Sequence, residues 1–155
     1  MREKTQQQVR IWATLCHFSA LTAWMLLVFL IFIGIPLYMP LNILAPLIVW
    51  RLKKAQHPWI DFQGKESLNF QISLTMYALV VITISLFFVL TTFGMALISN
   101  LTGNQVKTVL DSLVMIFFSL IVIMLLLQLF VVSFSAIKAY KGQHYRYPFT
   151  IRFFR

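Results

Sequence analysis

Charge is what this chain has least of. Only 11% of its 155 residues are Asp, Glu, Lys or Arg, against about 25% in an average soluble domain. The acids are scarcer still, four against thirteen bases, and no two form a closely spaced catalytic carboxylate pair. Asp61 and Glu66 flank a glycine, as an ordinary loop would. A single cysteine, Cys16, excludes an intrachain disulfide and leaves zinc without a ligand set. Within an apolar run it reads as a small buried residue. His17, His57 and His144 are scattered, with no H-E-x-x-H spacing, and neither G-x-S-x-G nor a Walker loop occurs. No catalysis, cofactor or metal is therefore expected. Internal repeats, heptads and low-complexity tracts are also absent.

What is abundant is apolar surface: 60% of the residues are hydrophobic. A soluble chain of this size cannot bury that much, because a small domain leaves a large share of its surface in water. Membrane is the class that remains. The net charge of +9 raises nucleic acid as a partner, but such binders spread their bases over a solvated face. Here the bases flank apolar runs, so anionic lipid headgroups are the expected partner and nucleic acid is not.

Two intervals of 40 residues, 11–50 and 67–106, carry no charge, and 112–137 adds 26 more. One crossing takes about 20 apolar residues. The bases Arg2, Lys4 and Arg10 resemble a secretory leader, yet the apolar run 11–33 exceeds the usual ~7–15 residues and no A-x-A site ends it. It reads as a retained helix. "GIPLYMP", with Gly34, Pro36 and Pro40, breaks the first interval, since proline removes a donor and disfavours helix before it. The second crossing is then short, with Pro46 inside it, and a re-entrant segment is its alternative.

Counting bases chooses between the two. With four crossings, residues 1–10 (three bases), 51–65 (four) and 138–155 (five) share one side, and only Lys107 falls opposite. That is the positive-inside pattern. The expected architecture is all-α, a polytopic four-helix transmembrane bundle with a short proline-broken second helix, forming a single membrane domain over 1–155. Its parts are a cytoplasmic arm 1–10, helix 1 at 11–33, short helix 2 at 37–52 and a cytoplasmic loop 53–66. Helix 3 at 67–98, an outer loop 99–112, helix 4 at 113–137 and a basic-aromatic tail 138–155 follow. Both termini are cytoplasmic and the membrane is the cell's inner one. Trp12, Trp50, Trp59 and Tyr140 fall at the cytoplasmic boundary and Tyr38 at the outer one, as an aromatic belt would; Trp24 sits mid-helix, against that pattern. Asn100 opens a glycosylation sequon in the outer loop, a weak three-residue pattern.

Polar residues inside the spans are the candidate site, because an intramembrane ionisable group marks one by default. Glu66, Asn69, Ser73 and Tyr77 recur at i, i+3, i+7 and i+11, a single stripe on helix 3. His17 in helix 1 lies at a depth comparable with Glu66, and Gln128 is the polar group of helix 4. Two readings stay open: interhelical glue, or a cytoplasm-facing polar vestibule lined by these six. Asn42 is read as satisfying backbone groups freed by proline. In the tail, Lys138, Lys141, Arg146, Arg152 and Arg155 alternate with aromatics, which suits headgroup binding at an anionic surface.

Three blocks carry a resemblance: "CHFSAL", "NILAPLIVWRLKKAQHPWIDFQGKESLNFQI" and "AIKAYKGQHYRYPFTIRF". Together they resemble a widespread family of small, uncharacterised bacterial four-helix membrane proteins. That family is distantly similar to the channel-forming inner-envelope subunit of the chloroplast protein-import translocon. Its recurrent motif maps onto His17, Pro46, Gly64, Lys65, Glu66, Asn69, Gln71, Tyr147 and Pro148, without an assigned role for any of them. The resemblance implies a translocon-like component assisting polypeptide passage or membrane insertion, with a polypeptide or membrane-protein partner and self-association. The proline-rich second helix departs from a plain pore lining. The alternatives are a small ion or solute transporter using the vestibule, and a structural lipid-binding membrane protein.

Overall fold

The computed structural model describes residues 2–34, 40–98 and 102–155. The described residues form four α-helices and no strand: α1 (Arg2–Phe32), α2 (Leu41–Lys53), α3 (Pro58–Ile98) and α4 (Gly103–Tyr140), with a 3₁₀ turn at Lys54–Gln56 between α2 and α3. The break over Pro36 and Tyr38, the first residues of the expected second helix, and the Asn100 sequon lie outside the described residues.

Helices begin earlier than the charge pattern implies. The arm expected over 1–10 is helical from Arg2, because its Lys, Gln and Arg residues are good helix formers and continue the apolar run without a break. The loop expected over 53–66 shrinks to the 3₁₀ turn and His57. Pro58 opens α3, where its missing N–H costs nothing. His57 before it is extended, at φ −163° and ψ 137°, as a residue preceding proline should be. Its ring Nδ1 accepts the Trp59 N–H at 3.0 Å and caps the helix.

The outer loop expected over 99–112 is largely the start of α4. Thr102 accepts there from Gln105 and Val106, and the Gln105 side chain accepts the Thr102 N–H at 3.1 Å, a reciprocal cap. At the far end α4 runs three residues into the expected tail. Gly142, at φ 74°, closes it with the paired bonds Gly142 N–H to Ala139 and Gln143 N–H to Lys138. α2 continues through a buried Pro46. Its 13 residues span about 20 Å, less than the ~30 Å hydrocarbon core.

The chain divides into two compact units. The first comprises residues 1–74 and 129–155. On α1, Ala13, Cys16, His17, Ala20 and Ala23 are buried along one face, at i, i+3, i+4, i+7 and i+10, and the small side chains let other segments approach closely. Cys16, Trp50, Ile60 and Leu68 make one apolar cluster, and Phe70, Val132 and Tyr147 another. The span 63–73 of α3 is buried almost all round. The second unit, 75–128, is the opposite in character. Its large apolar side chains face outward, among them Phe87, Leu90, Leu97, Val114, Phe118 and Ile121, with Leu97 85% exposed.

α3 and α4 are each long and apolar enough to cross a membrane. A soluble protein does not leave so much contiguous apolar surface in water, whereas lipid tails solvate it without penalty. The 24 residues from Thr75 to Ile98 rise about 36 Å, enough for one crossing. The chain is a helical membrane protein.

Candidate functional site

The polar residues gather inside the first unit. His17 is held at both ring nitrogens: Nδ1 lies 2.7 Å from the Tyr147 hydroxyl and Nε2 2.9 Å from Gln63 Oε1. A neutral ring satisfies both when Nε2–H donates to Gln63 and Nδ1 accepts from the phenol, the tautomer that this network assigns. Tyr147 is 5% exposed and stacks on Phe70 with ring centroids 4.2 Å apart. Burial pushes the Tyr147 phenol above its ordinary value, a hydrogen bond with Ser135 opposes this, and the charges of Tyr145 and Glu66 add to the rise. The phenol therefore stays a donor.

Asn69, 1% exposed, reads backbone rather than side chains. Its Oδ1 accepts the N–H groups of Phe153 at 3.0 Å and Phe154 at 2.9 Å. Its Nδ2 donates to the Phe154 carbonyl at 2.9 Å. One turn further along α3, Ser73 Oγ accepts the Ile151 N–H at 2.8 Å and donates to the Asn69 carbonyl at 2.7 Å. The C-terminal segment thus folds back and docks its main chain on the polar edge of α3.

Each residue singled out in the sequence can now be placed. His17, Glu66, Asn69 and Ser73 are buried in the first unit, with Asn69 and Ser73 occupied by the tail. Tyr77 and Gln128 belong to the second unit, where Tyr77 is exposed and Gln128 buried. Of the motif residues, Lys65 pairs with Asp61 at 2.8 Å, and Asn42 donates to Gln71 at 3.4 Å. Gly64 is no turn. It lies within α3, where a Cβ would run into the Trp50 indole, whose Nε1 donates to Asp61 at 2.9 Å. Exposed Pro148 opens a turn in which Phe149 takes a left-handed φ of 56° and is 90% exposed. Lys141, Arg146, Arg152 and Arg155 are exposed. Lys138 differs: it donates to Gln143 at 2.8 Å and sits over the Phe134 ring.

Sequence reasoning passed over Gln63, Ser67 and Ser135, and read Trp50 only as a boundary aromatic. Ser67 donates to the Cys16 carbonyl at 2.9 Å, and Gln63 completes the His17 bridge. A signal for two of them exists. Gln63, Ser67 and Gln71 recur every four residues, a second polar stripe on α3 beside the first. Among the described residues no group of three or more His, Cys, Asp or Glu is placed to hold a metal ion.

A family model described as the magnetosome magnetite crystal formation protein family matches residues 8–154. No curated protein and no solved structure matches the chain. These comparisons bring no likeness to the chloroplast translocon subunit.

Proposed function

Since the chain belongs to the magnetosome magnetite crystal formation protein family, we propose that it is a structural component of a magnetosome-type membrane. In this reading it organises the lipid surface around the crystal compartment and neither passes polypeptides nor carries out catalysis. Four crossings place both termini in the cytoplasm. The exposed tail bases Lys141, Arg146, Arg152 and Arg155 rest on anionic headgroups, each contributing about 1 kcal/mol, and Phe149 and Phe153 enter the interface between them.

The observation that carries this reading is the filled polar edge. A conduit would need Asn69 and Ser73 in water; here they hold tail backbone, and His17 is engaged at both nitrogens. A translocon-like role draws no support from the comparisons. The basic end supports the topology, since Gln6 and Arg10 of α1, His57 and Trp59 at the start of α3, and Gly142 after α4 line one pocket. The three base-rich segments thus meet at one pocket, an arrangement that fits the positive-inside pattern.

The test is localisation with a phenotype. A fluorescent fusion made in a magnetosome-forming bacterium is expected to co-fractionate with the magnetosome membrane, and its overproduction to change crystal size or number. Even distribution over the cell membrane with unchanged crystals would overturn the proposal. Proton or solute flux in proteoliposomes, abolished by Glu66→Gln, would replace it with a transporter.

A further inference from the structure

Three segments far apart in sequence converge on one open pocket of ≈ 210 Å³, several times the ~30 Å³ of one liquid water. Gln6, Val9 and Arg10 come from one face of α1, at i, i+3 and i+4. His57 and Trp59 come from the capped start of α3, and Gly142 from the turn that ends α4. We propose that this pocket binds a phosphate group, and that a phospholipid headgroup supplies it.

The donors and the field favour an anion. The Arg10 guanidinium lies beside Gly142: a Cβ there would stand 3.4 Å from one terminal nitrogen and 3.6 Å from the central carbon. Those are ordinary van der Waals distances, so what Gly142 supplies is its positive φ of 74°, which turns the chain back beside the guanidinium. Among the described residues Arg10 forms no ion pair; the pair present is Lys65–Asp61. His57 Nδ1 is already taken by the Trp59 N–H, so the proton of the neutral ring sits on Nε2, as a donor. The Gln6 amide adds donors. The start of α3 contributes the positive end of the helix dipole, while its first N–H groups are already taken by His57, so the donors fall to Arg10, Gln6 and the His57 ring. Lys53 and Lys54 lie nearby in sequence, over the Trp12 and Trp50 rings at 4.3 and 4.6 Å, while Asp61 is engaged by Lys65 and Trp50.

The walls favour a lipid over a free ion. Val9 and the Trp59 ring are apolar, and the indole is braced by His144, edge-on at 4.6 Å, and Phe62, stacked at 6.0 Å. A rigid tryptophan beside an arginine suits the headgroup level of a bilayer. A bidentate guanidinium suits the phosphate itself. The choice of lipid rests on the reading that this basic end faces the membrane interface. The experiment runs on purified protein, so its failure is distinguishable from a failure of magnetosome localisation.

The full chain in detergent is titrated with phosphatidylglycerol, phosphatidylcholine or inorganic phosphate, and bound ligand is counted by native mass spectrometry. Phosphatidylglycerol is expected to bind, with Arg10→Gln weakening it about tenfold, the loss of one charge-assisted hydrogen bond. Lys107→Gln, an equal charge change at an exposed base outside the tail, is expected to cost less than about twofold. Should Arg10→Gln fail to fold, Arg10→Lys keeps the charge but loses the planar fork, and the same comparison runs on it. Binding of inorganic phosphate alone, lost in the Arg10 variant, would support the phosphate site and overturn the lipid as its source. Equal losses at Arg10 and Lys107, or no dependence on Arg10, would overturn the site as a whole.

Discussion

The side chain of Asn69 pairs with the main chain of Phe154 as a neighbouring strand would. Oδ1 takes the Phe154 N–H and Nδ2 gives to the Phe154 carbonyl, both at 2.9 Å. The amide cannot be turned over without opposing donor to donor and acceptor to acceptor, so its orientation is set. Eighty-five residues separate the partners. With Ser73 holding Ile151, a helix edge supplies the hydrogen bonds that an extended segment needs in a poorly hydrated environment, where an unpaired backbone group costs several kcal/mol.

Asn69→Ala removes three hydrogen bonds to the tail, each contributing about 1 kcal/mol. Trypsin cleavage after Arg152 is expected to speed up at least about tenfold. Asn69→Asp is expected to do nearly the same, because an acceptor then faces the Phe154 carbonyl. An unchanged digestion rate in both variants would mean that the clamp does not hold the tail.

His17 and Tyr147 tie α1 to the tail, as Asn69 and Ser73 tie α3 to it. Tyr147→Phe is expected to cost about 1–2 kcal/mol by leaving His17 Nδ1 without its donor. In a double-mutant cycle with His17→Ala the two changes are expected to fall short of additivity by at least about 0.5 kcal/mol. Thermal unfolding in detergent reads this, and full additivity would dissolve the pair.

The raised Tyr147 phenol also predicts a pH dependence. Its neutral form is favoured in the fold, so its contribution is complete below the ordinary phenol value of 10.0. The contribution is lost as pH rises from there through the raised folded value. Stability is expected to fall above about pH 10, with a smaller drop in Tyr147→Phe. Phenolate absorbance checks this: one tyrosine fewer in the late-titrating group is expected in that variant.

Two glycines of α3 separate packing from propensity. At Gly64 a methyl group meets the Trp50 ring, and Gly64→Ala is expected to cost about 1–3 kcal/mol through overpacking. At Gly94 a Cβ meets nothing within 4 Å, so Gly94→Ala is expected to be neutral or stabilising by up to about 1 kcal/mol. Equal melting shifts for the two would refute the close approach of Trp50 to α3.

The family blocks were legible because they are local strings. The partners inside them were not. Nothing in "GKESLNFQI" indicates that Gly64 answers to Trp50, or that Asn69 binds main chain. A backbone N–H leaves no mark on the sequence of the segment that carries it. The stripe Glu66–Asn69–Ser73 is readable from helical period, but a polar edge looks the same whether water, another helix or a returning tail lies against it. The tail misled in the same way. Its alternation of Arg and aromatic residues describes the exposed half, Arg146, Phe149, Arg152 and Phe153, while Tyr147 and the backbone at 151–154 turn inward.

Composition and hydropathy were enough, by themselves, to establish a helical, membrane-embedded chain. Those properties follow from transfer free energies summed over long windows, and no individual contact alters them. Helix limits, the closure of the polar edge and the pocket at Arg10 were decided by tertiary structure. Each depends on one donor meeting one acceptor, or one side chain being absent, between segments tens of residues apart. A window that reads only neighbours along the chain contains no term for such meetings.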